Sequence, residues 1–171
     1  MKNSTGLVYT ALFAVLTGVG ALIIIPAPFV PVTLQSLFCL LSGALLGKKM
    51  GPTSQGMYIL LGLAGMPVFS RGGSGPGVLL GPTGGYIIGF IPASYITGFF
   101  TQKKHLIAGL ILGTLVIYAT GLLQLKFITQ RSWPEVFLIG AAPFIPGDIL
   151  KIIAAAGVYN YLDRAGIGIL K

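Results

Sequence analysis

Acid is what this chain has least of. Its 171 residues include three Asp and Glu in total, one His and one Cys, and only 8% are charged. A soluble domain carries about 25% charged residues, so these few cannot coat a folded chain of this length in water. A water-soluble monomer is excluded. Disorder is excluded as well, because it needs low hydrophobicity and high charge. The lone Cys39 rules out an intrachain disulfide. The single His105 sits in a basic cluster, and no His/Glu pair has metal-ligand spacing. There is no Gly-x-Ser-x-Gly elbow, and no second carboxylate near Asp148. Hydrolase and metalloenzyme chemistry therefore lack parts. So does a proton relay, which uses chains of Asp, Glu or His. The glycines lack both the Gly-x-Gly-x-x-Gly spacing and a following Lys-Ser or Lys-Thr, which excludes a nucleotide loop.

What the chain does have is apolar surface, with 54% hydrophobic residues, 26 Gly and 11 Pro, and a mean hydropathy of +0.91. Gly and Pro at these levels suit transmembrane helices. At about 20 residues per span, the length allows five to seven helices in one integral-membrane domain, 1–171. The net charge of +8 is dispersed among loops rather than gathered into a nucleic-acid face. The first apolar run, 7–25, is longer than the ~7–15 residues of a signal-peptide core. It reads as a retained span, with cleavage near Ala27 the lesser reading.

Glycine, proline and charge punctuate six spans. These are 7–25, 33–46, 53–66, 84–100, 106–125, and a last one starting at Pro146 and ending near 162. Residues 135–145 form an irregular or short helical lead-in. One side then holds Lys2, Lys48, Lys49, Lys103, Lys104, Arg164 and Lys171. The other holds Arg71, Lys126 and Arg131. Cytoplasmic loops carry the Lys/Arg excess, so both termini are expected in the cytoplasm of an all-α, six-span protein. The second, fourth and sixth spans then begin at the outer face, each after Pro- or Gly-rich backbone. Their free N–H groups favour an anionic ligand group there. Pro28-Phe29-Val30-Pro31 and Pro143-Phe144-Ile145-Pro146 echo one another on that side.

Asp148 and Lys151 are the charges within the proposed spans, three residues apart on one helical face. They are either an internal ion pair or a ligand site, and the preceding Pro-Gly break, which opens a cavity, favours the latter. Arg71, in the glycine-rich loop, is a solvated residue or a carboxylate partner. Thr33 and Gln35 cap backbone or face the outer cavity. Asn160, Tyr159 and Tyr161 read as interfacial anchors. In the first span Gly6, Thr10, Ala14 and Gly18 form a small-residue ladder, which packs either within the chain or against a partner subunit.

The strings Pro31-Val32-Thr33-Leu34-Gln35, Leu61-Gly62-Leu63-Ala64-Gly65-Met66-Pro67-Val68-Phe69, Gly81-Pro82-Thr83-Gly84-Gly85-Tyr86 and Pro143-Phe144-Ile145-Pro146-Gly147-Asp148-Ile149-Leu150-Lys151 occur in this order. In order and spacing, from residue 7 to about 162, the chain resembles the BioY family, the biotin-specific substrate-binding (S) components of energy-coupling factor transporters. The resemblance implies a prokaryotic cell-membrane protein without cofactor or metal that captures biotin at the outer face. It also implies a transmembrane coupling subunit and two ATPase subunits as partners. Biotin offers a ureido ring, an apolar thioether body and a carboxylate. Asp148 can accept ureido N–H bonds, and Lys151, Arg71 or helix N-termini can face the carboxylate. Backbone near Gly84 permits close approach, and Tyr86 or Phe69 can cover the ring. The family's docking motif is Ala-x-x-x-Ala. Here the ladder is Ala14-x-x-x-Gly18 preceded by Thr10, with the same small-residue logic. The competing functions are a self-sufficient facilitator, an S component for another vitamin, and an assembly subunit whose ionic pair only holds helices.

Overall fold

The computed structural model describes residues 2–25 and 29–166. Ala27 and Lys171 lie outside them, as does the Lys2 side chain. Helix α1 spans Lys2–Gly20 and stops before the expected end at Ile25. Three consecutive β-branched isoleucines precede Pro26, and the residue before a proline avoids helical backbone. Ile24 and Ile25 instead pair antiparallel with Thr33 and Val32, forming a small ladder of strands β1 (Ile24–Ile25) and β2 (Val32–Thr33).

Helix α2, Gln35–Leu63, is broken at Gly47, whose φ of 77° and ψ of 179° no helix contains. The limbs 35–46 and 48–63 fold back on each other. Ser42 accepts a hydrogen bond from Gln55 at 3.1 Å, and a Cβ on Gly51 would come 2.8 Å from the Gly43 Cα. The second and third expected spans are thus one tight hairpin. The expected loop at 47–52 shrinks to a single glycine that reaches positive φ without steric cost. The glycine-rich stretch is ordered, with a 3-10 turn at Ser70–Gly72 and a short helix α3 at Pro76–Leu80. Helices α4 (Gly84–Gln102) and α5 (Leu106–Thr129) follow. Then come α6 (Trp133–Gly140) and α7 (Ile145–Arg164), bent by 51° relative to each other. The expected lead-in before the last span is α6, and α7 starts one residue before Pro146.

The bundle packs α4 between α2 and α5, with α1 and α7 on the flanks of α2. Small residues permit the close approach of helices in apolar surroundings. A Cβ on Gly121, for example, would lie 2.3 Å from the Tyr86 ring. One core gathers Tyr58, Phe69, Tyr86, Phe90, Leu125, Val136 and Phe144. A second gathers Phe13, Leu40, Leu110 and Ala155. Large apolar side chains also cover the outside, among them Val8, Leu12 and Val15 on α1, Leu115 and Phe127 on α5, and Leu150 and Ile153 on α7. Among the described residues, Leu106–Thr129 is by itself long and apolar enough to cross a membrane, with hydropathy 2.2, and α6 and α7 pass together as a bent pair. Only 33% of the apolar α5 window is buried, whereas the core helix of a soluble protein would be mostly enclosed.

Candidate functional site

The starts of α2, α4 and α7 converge at one end of the bundle on a small, partly open chamber of about 60 Å³. Its walls include Thr33, Gln35 and Ser36 from the start of α2, Thr83 and Tyr86 at the start of α4, Tyr118 from α5, and Phe144, Asp148 and Lys151 from α7. Val30 and Phe144, from the two echoed proline strings, face the same chamber. Pro146 sits in the first turn of α7, where its missing N–H costs no helical bond. The helix therefore begins abruptly and presents Asp148 one turn in.

Asp148 and Lys151 are both 8% exposed and paired, with Nζ 2.8 Å from Oδ1. The second carboxylate oxygen accepts the Tyr118 hydroxyl. The Lys151 ammonium also donates to Ser36 at 3.0 Å. A lone buried charge would be costly, and pairing with further hydrogen bonds is what makes one tolerable. The arrangement is still not saturated. Each carboxylate oxygen accepts two bonds and an ammonium has three donors, so Asp148 can accept more and Lys151 can donate one more. Across the chamber, Thr33 donates to Gln35 Oε1 at 2.8 Å, and the Gln35 amide donates to Tyr58. Tyr86 donates to the Gly140 carbonyl at 2.8 Å, so its ring is a fixed wall. A second cavity of about 300 Å³, lined almost wholly by apolar groups such as Val32, Leu37, Leu150 and Ala154, adjoins the chamber at Thr33 and Lys151.

Asp148, Lys151, Thr33, Gln35 and Tyr86 thus come together as the sequence reading expects. Phe69 does not. It is fully buried, edge-on to Tyr58 at 5.5 Å, in the gap that Gly62 leaves, so it covers no ring in the chamber. Gly84 does not line the chamber either. A Cβ there would lie 1.8 Å from the Leu79 carbonyl oxygen, so this glycine serves packing beneath α3. Arg71 is exposed in the turn whose first residue, Ser70, lines the chamber. It stands beside the mouth rather than inside. Thr10, Ala14 and Gly18 are buried within the chain, with Gly18 facing Val68. The ladder is covered by the protein's own segments, and the expectation of an open docking face there is corrected.

Tyr118 and Ser36 escaped the sequence reading. The available signal was Tyr118 itself, a hydroxyl in the middle of a strongly apolar span. Ser36 carried no comparable signal.

Chamber, bundle and lipid-like exterior together define a helical membrane protein with one ionic site sunk at the starts of three helices. The BioY family description fits residues 1–167. The chain is similar to the "Probable biotin transporter BioY" of Lysinibacillus sphaericus, with 42% identity over 167 residues, 91% of this chain and 85% of the relative. It is also similar to the "Biotin transporter BioY" of Thermotoga maritima, with 39% identity over 154 residues, 88% of this chain and 90% of the relative. A crystal structure described as the S-component for biotin from an ECF-type ABC transporter matches with a TM-score of 0.86 at 29% identity, covering 95% of this chain and 92% of that one. The chain belongs to the BioY family.

Proposed function

We propose that the chain is the biotin-capturing membrane subunit of an energy-coupling factor transporter. It crosses the bilayer six times with both termini in the cytoplasm, and its chamber opens outward. It carries no reaction of its own. A transmembrane coupling subunit and two ATPase subunits supply the energy. The names of its relatives support the ligand, and the chamber's chemistry agrees with it. The observation that carries the reading is the unsaturated Asp148–Lys151 pair.

An acceptor and a donor 2.8 Å apart match a ureido edge, which offers an N–H beside a C=O. Asp148 takes the N–H and Lys151 donates to the carbonyl, so the pair acts as one fork. The alternative gives Asp148 the ureido group and Lys151 the carboxylate, which requires the ends of an extended ligand to reach adjacent atoms. The carboxylate therefore points toward the mouth, where Arg71 follows Ser70 and can form a charge-assisted pair. Tyr86 and Phe144, with ring centroids 6.5 Å apart, bound the thioether body. Small-molecule pockets run to about 300–1,000 Å³, so the small chamber widens when biotin binds. Displacing the Thr33 and Lys151 side chains would join it to the apolar groove.

Titrating the detergent-solubilised chain with biotin tests the reading. Saturable tight binding by the isolated chain, without ATP binding, is the expected result. A chain that binds no biotin would leave the Asp148–Lys151 pair as a structural fastening only.

A further inference from the structure

The end of the bundle away from the chamber carries a second, unrelated arrangement of charge. The Gly47 turn of α2 lies directly on α4. A Cβ on Gly98 would come within 2.5 Å of the Gly47 carbonyl carbon and the Lys48 nitrogen. This contact delivers Lys48 beside Phe99, with its ammonium 5.7 Å from the ring centroid. Helix α4 ends three residues later, and Lys103 folds back over the same ring at 4.3 Å. The ring is fixed by Tyr95, stacked at 6.4 Å, and by Phe100, edge-on at 5.6 Å. Lys49 and Lys104 flank the pair from the same two turns and are exposed. Among the described residues none of these four ammoniums makes a hydrogen bond or a salt bridge. Among the described residues, the only side-chain carboxylate at this end is Asp163, in the last turn of α7; Asp148 is engaged by Lys151, and Glu135 lies at the start of α6.

Two ammoniums from different elements are held on one aromatic floor at the end of α4, with no hydrogen bond or ion pair of their own among the described residues. We propose that Lys48, Phe99 and Lys103, flanked by Lys49 and Lys104, bind the phosphate of an anionic phospholipid headgroup. The exposed Tyr95 ring and the apolar side of α4 below offer a path for the acyl chains. A lipid fits better than a soluble anion because the floor is aromatic and continuous with the apolar exterior. Anionic lipids also concentrate at the cytoplasmic leaflet. The site rests on the orientation proposed above, with this end at the cytoplasmic leaflet, and is independent of what the chamber binds.

Native mass spectrometry of the purified full chain, equilibrated with equal phosphatidylglycerol and phosphatidylcholine, tests it. Phosphatidylglycerol should be retained preferentially. Lys48→Gln and Lys103→Gln should each lower that retention about fivefold, and Phe99→Leu should lower it by less. Lys126→Gln, at the other end, should leave it unchanged. Size-exclusion profiles and melting temperatures identify any variant that fails to fold, and Lys48→Arg with Lys103→Arg should restore retention. Equal retention of the two lipids, or no change in the double Gln variant, overturns the proposal. Displacement of the lipid by inorganic phosphate alone would make the ligand a free anion. Loss of co-purifying partner subunits without loss of lipid would make the patch a protein-docking surface. Either result overturns the lipid assignment.

Discussion

Two polar regions inside this largely apolar bundle are built differently. In the chamber, Asp148, Lys151, Tyr118 and Ser36 use charged groups and keep bonding capacity in reserve. Beyond it, a seam between α1, both limbs of α2 and α4 joins Thr17, Gln55, Ser42, Ser54 and Ser94, and every member is neutral. Gln55 donates to Ser42 and Ser54 at 3.1 Å, and Ser42 meets Ser94 at 2.9 Å. Most seam hydroxyls also donate to a carbonyl of their own helix, as Thr17 does to Phe13 at 2.8 Å and Ser54 to Gly51 at 2.7 Å. No buried side-chain polar atom among the described residues lacks a partner. The seam's bonding is internal to its own members and helices, while the chamber keeps capacity beside unfilled space. Polarity alone therefore does not mark a membrane site. Charge beside unfilled space does.

Breaking the chamber should have the largest effect on function. Asp148→Asn preserves shape but turns one acceptor oxygen into a donor. A hydrogen bond to a charged group is worth about 1.5–3 kcal/mol, so biotin should bind at least about tenfold more weakly, as calorimetry would read. The roles within the site separate with a second ligand. On the proposed fork, in which the lysine reads the ureido carbonyl, Lys151→Met should weaken biotin and its carboxamide equally. Arg71→Ala should weaken biotin but spare the carboxamide. If Lys151→Met instead discriminates between the two, the carboxylate sits at Lys151 and the fork reading fails.

The α1 packing next to the seam, one turn before Thr17, should respond in stability rather than affinity. Ala14, 1% exposed against the protein's own core, has no room for a larger side chain. Overpacking of this kind costs about 1–3 kcal/mol, so Ala14→Leu should lower the melting temperature while the folded fraction still binds biotin. An unchanged melting temperature, with loss of co-purifying coupling subunits, would return the α1 ladder to partner docking.

The same contrast explains what the sequence reveals and what it hides. The all-helical class and the order of the long apolar segments were legible because Gly, Pro and Lys punctuate long apolar runs, and a charged pair three residues apart on one span declares itself. The single-residue turn at Gly47 was hidden, since Pro52 and two lysines suggest a longer loop. Phe69 and Gly84 misled because a glycine-rich stretch looks like a flexible ligand cradle. Here Gly62 of α2 admits the Phe69 ring, and Gly84 admits the Leu79 carbonyl. The ladder of Thr10, Ala14 and Gly18 was read correctly as a close-packing face, but sequence cannot say what packs on it. The neutral seam was invisible, because isolated Ser, Thr and Gln residues meet only once four helical segments are assembled.

Gln55→Leu probes the seam more gently. The amide loses bonds to three hydroxyls, but Thr17, Ser42 and Ser54 keep their backbone carbonyl partners. No donor is stranded outright, so the cost should be near the ~1 kcal/mol of an ordinary hydrogen bond, with biotin affinity unchanged. A loss of several kcal/mol in thermal or denaturant unfolding would mean that the seam is cooperative rather than a sum of local bonds.

The smallest effect lies outside both regions, at the start of α6. Ser132 and Glu135 form a capping box. The Glu135 carboxylate accepts from the Ser132 backbone N–H at 2.9 Å and its hydroxyl at 2.8 Å. These bonds, side chain first, hold its pKa below the usual carboxylate value. A group whose pKa is lowered by folding stabilises the fold fully above its unfolded value and loses that contribution as the pH falls through the lowered one. Amide protection at Trp133, Glu135 and Val136, measured against the intrinsic exchange rate at each pH, should therefore be high at neutral pH and fall in acid below the ordinary glutamate range of about 4.3. Glu135→Gln can still accept these bonds but carries no charge to titrate, so its exchange should lose that acid step. Because α6 carries the Gly140 carbonyl that anchors Tyr86, fraying confined to its first turn should leave biotin binding unaltered. If acid weakens biotin in the wild-type chain but not in Glu135→Gln, the cap reaches the chamber through Tyr86, and the separation between the site and its scaffold is less complete than the geometry indicates.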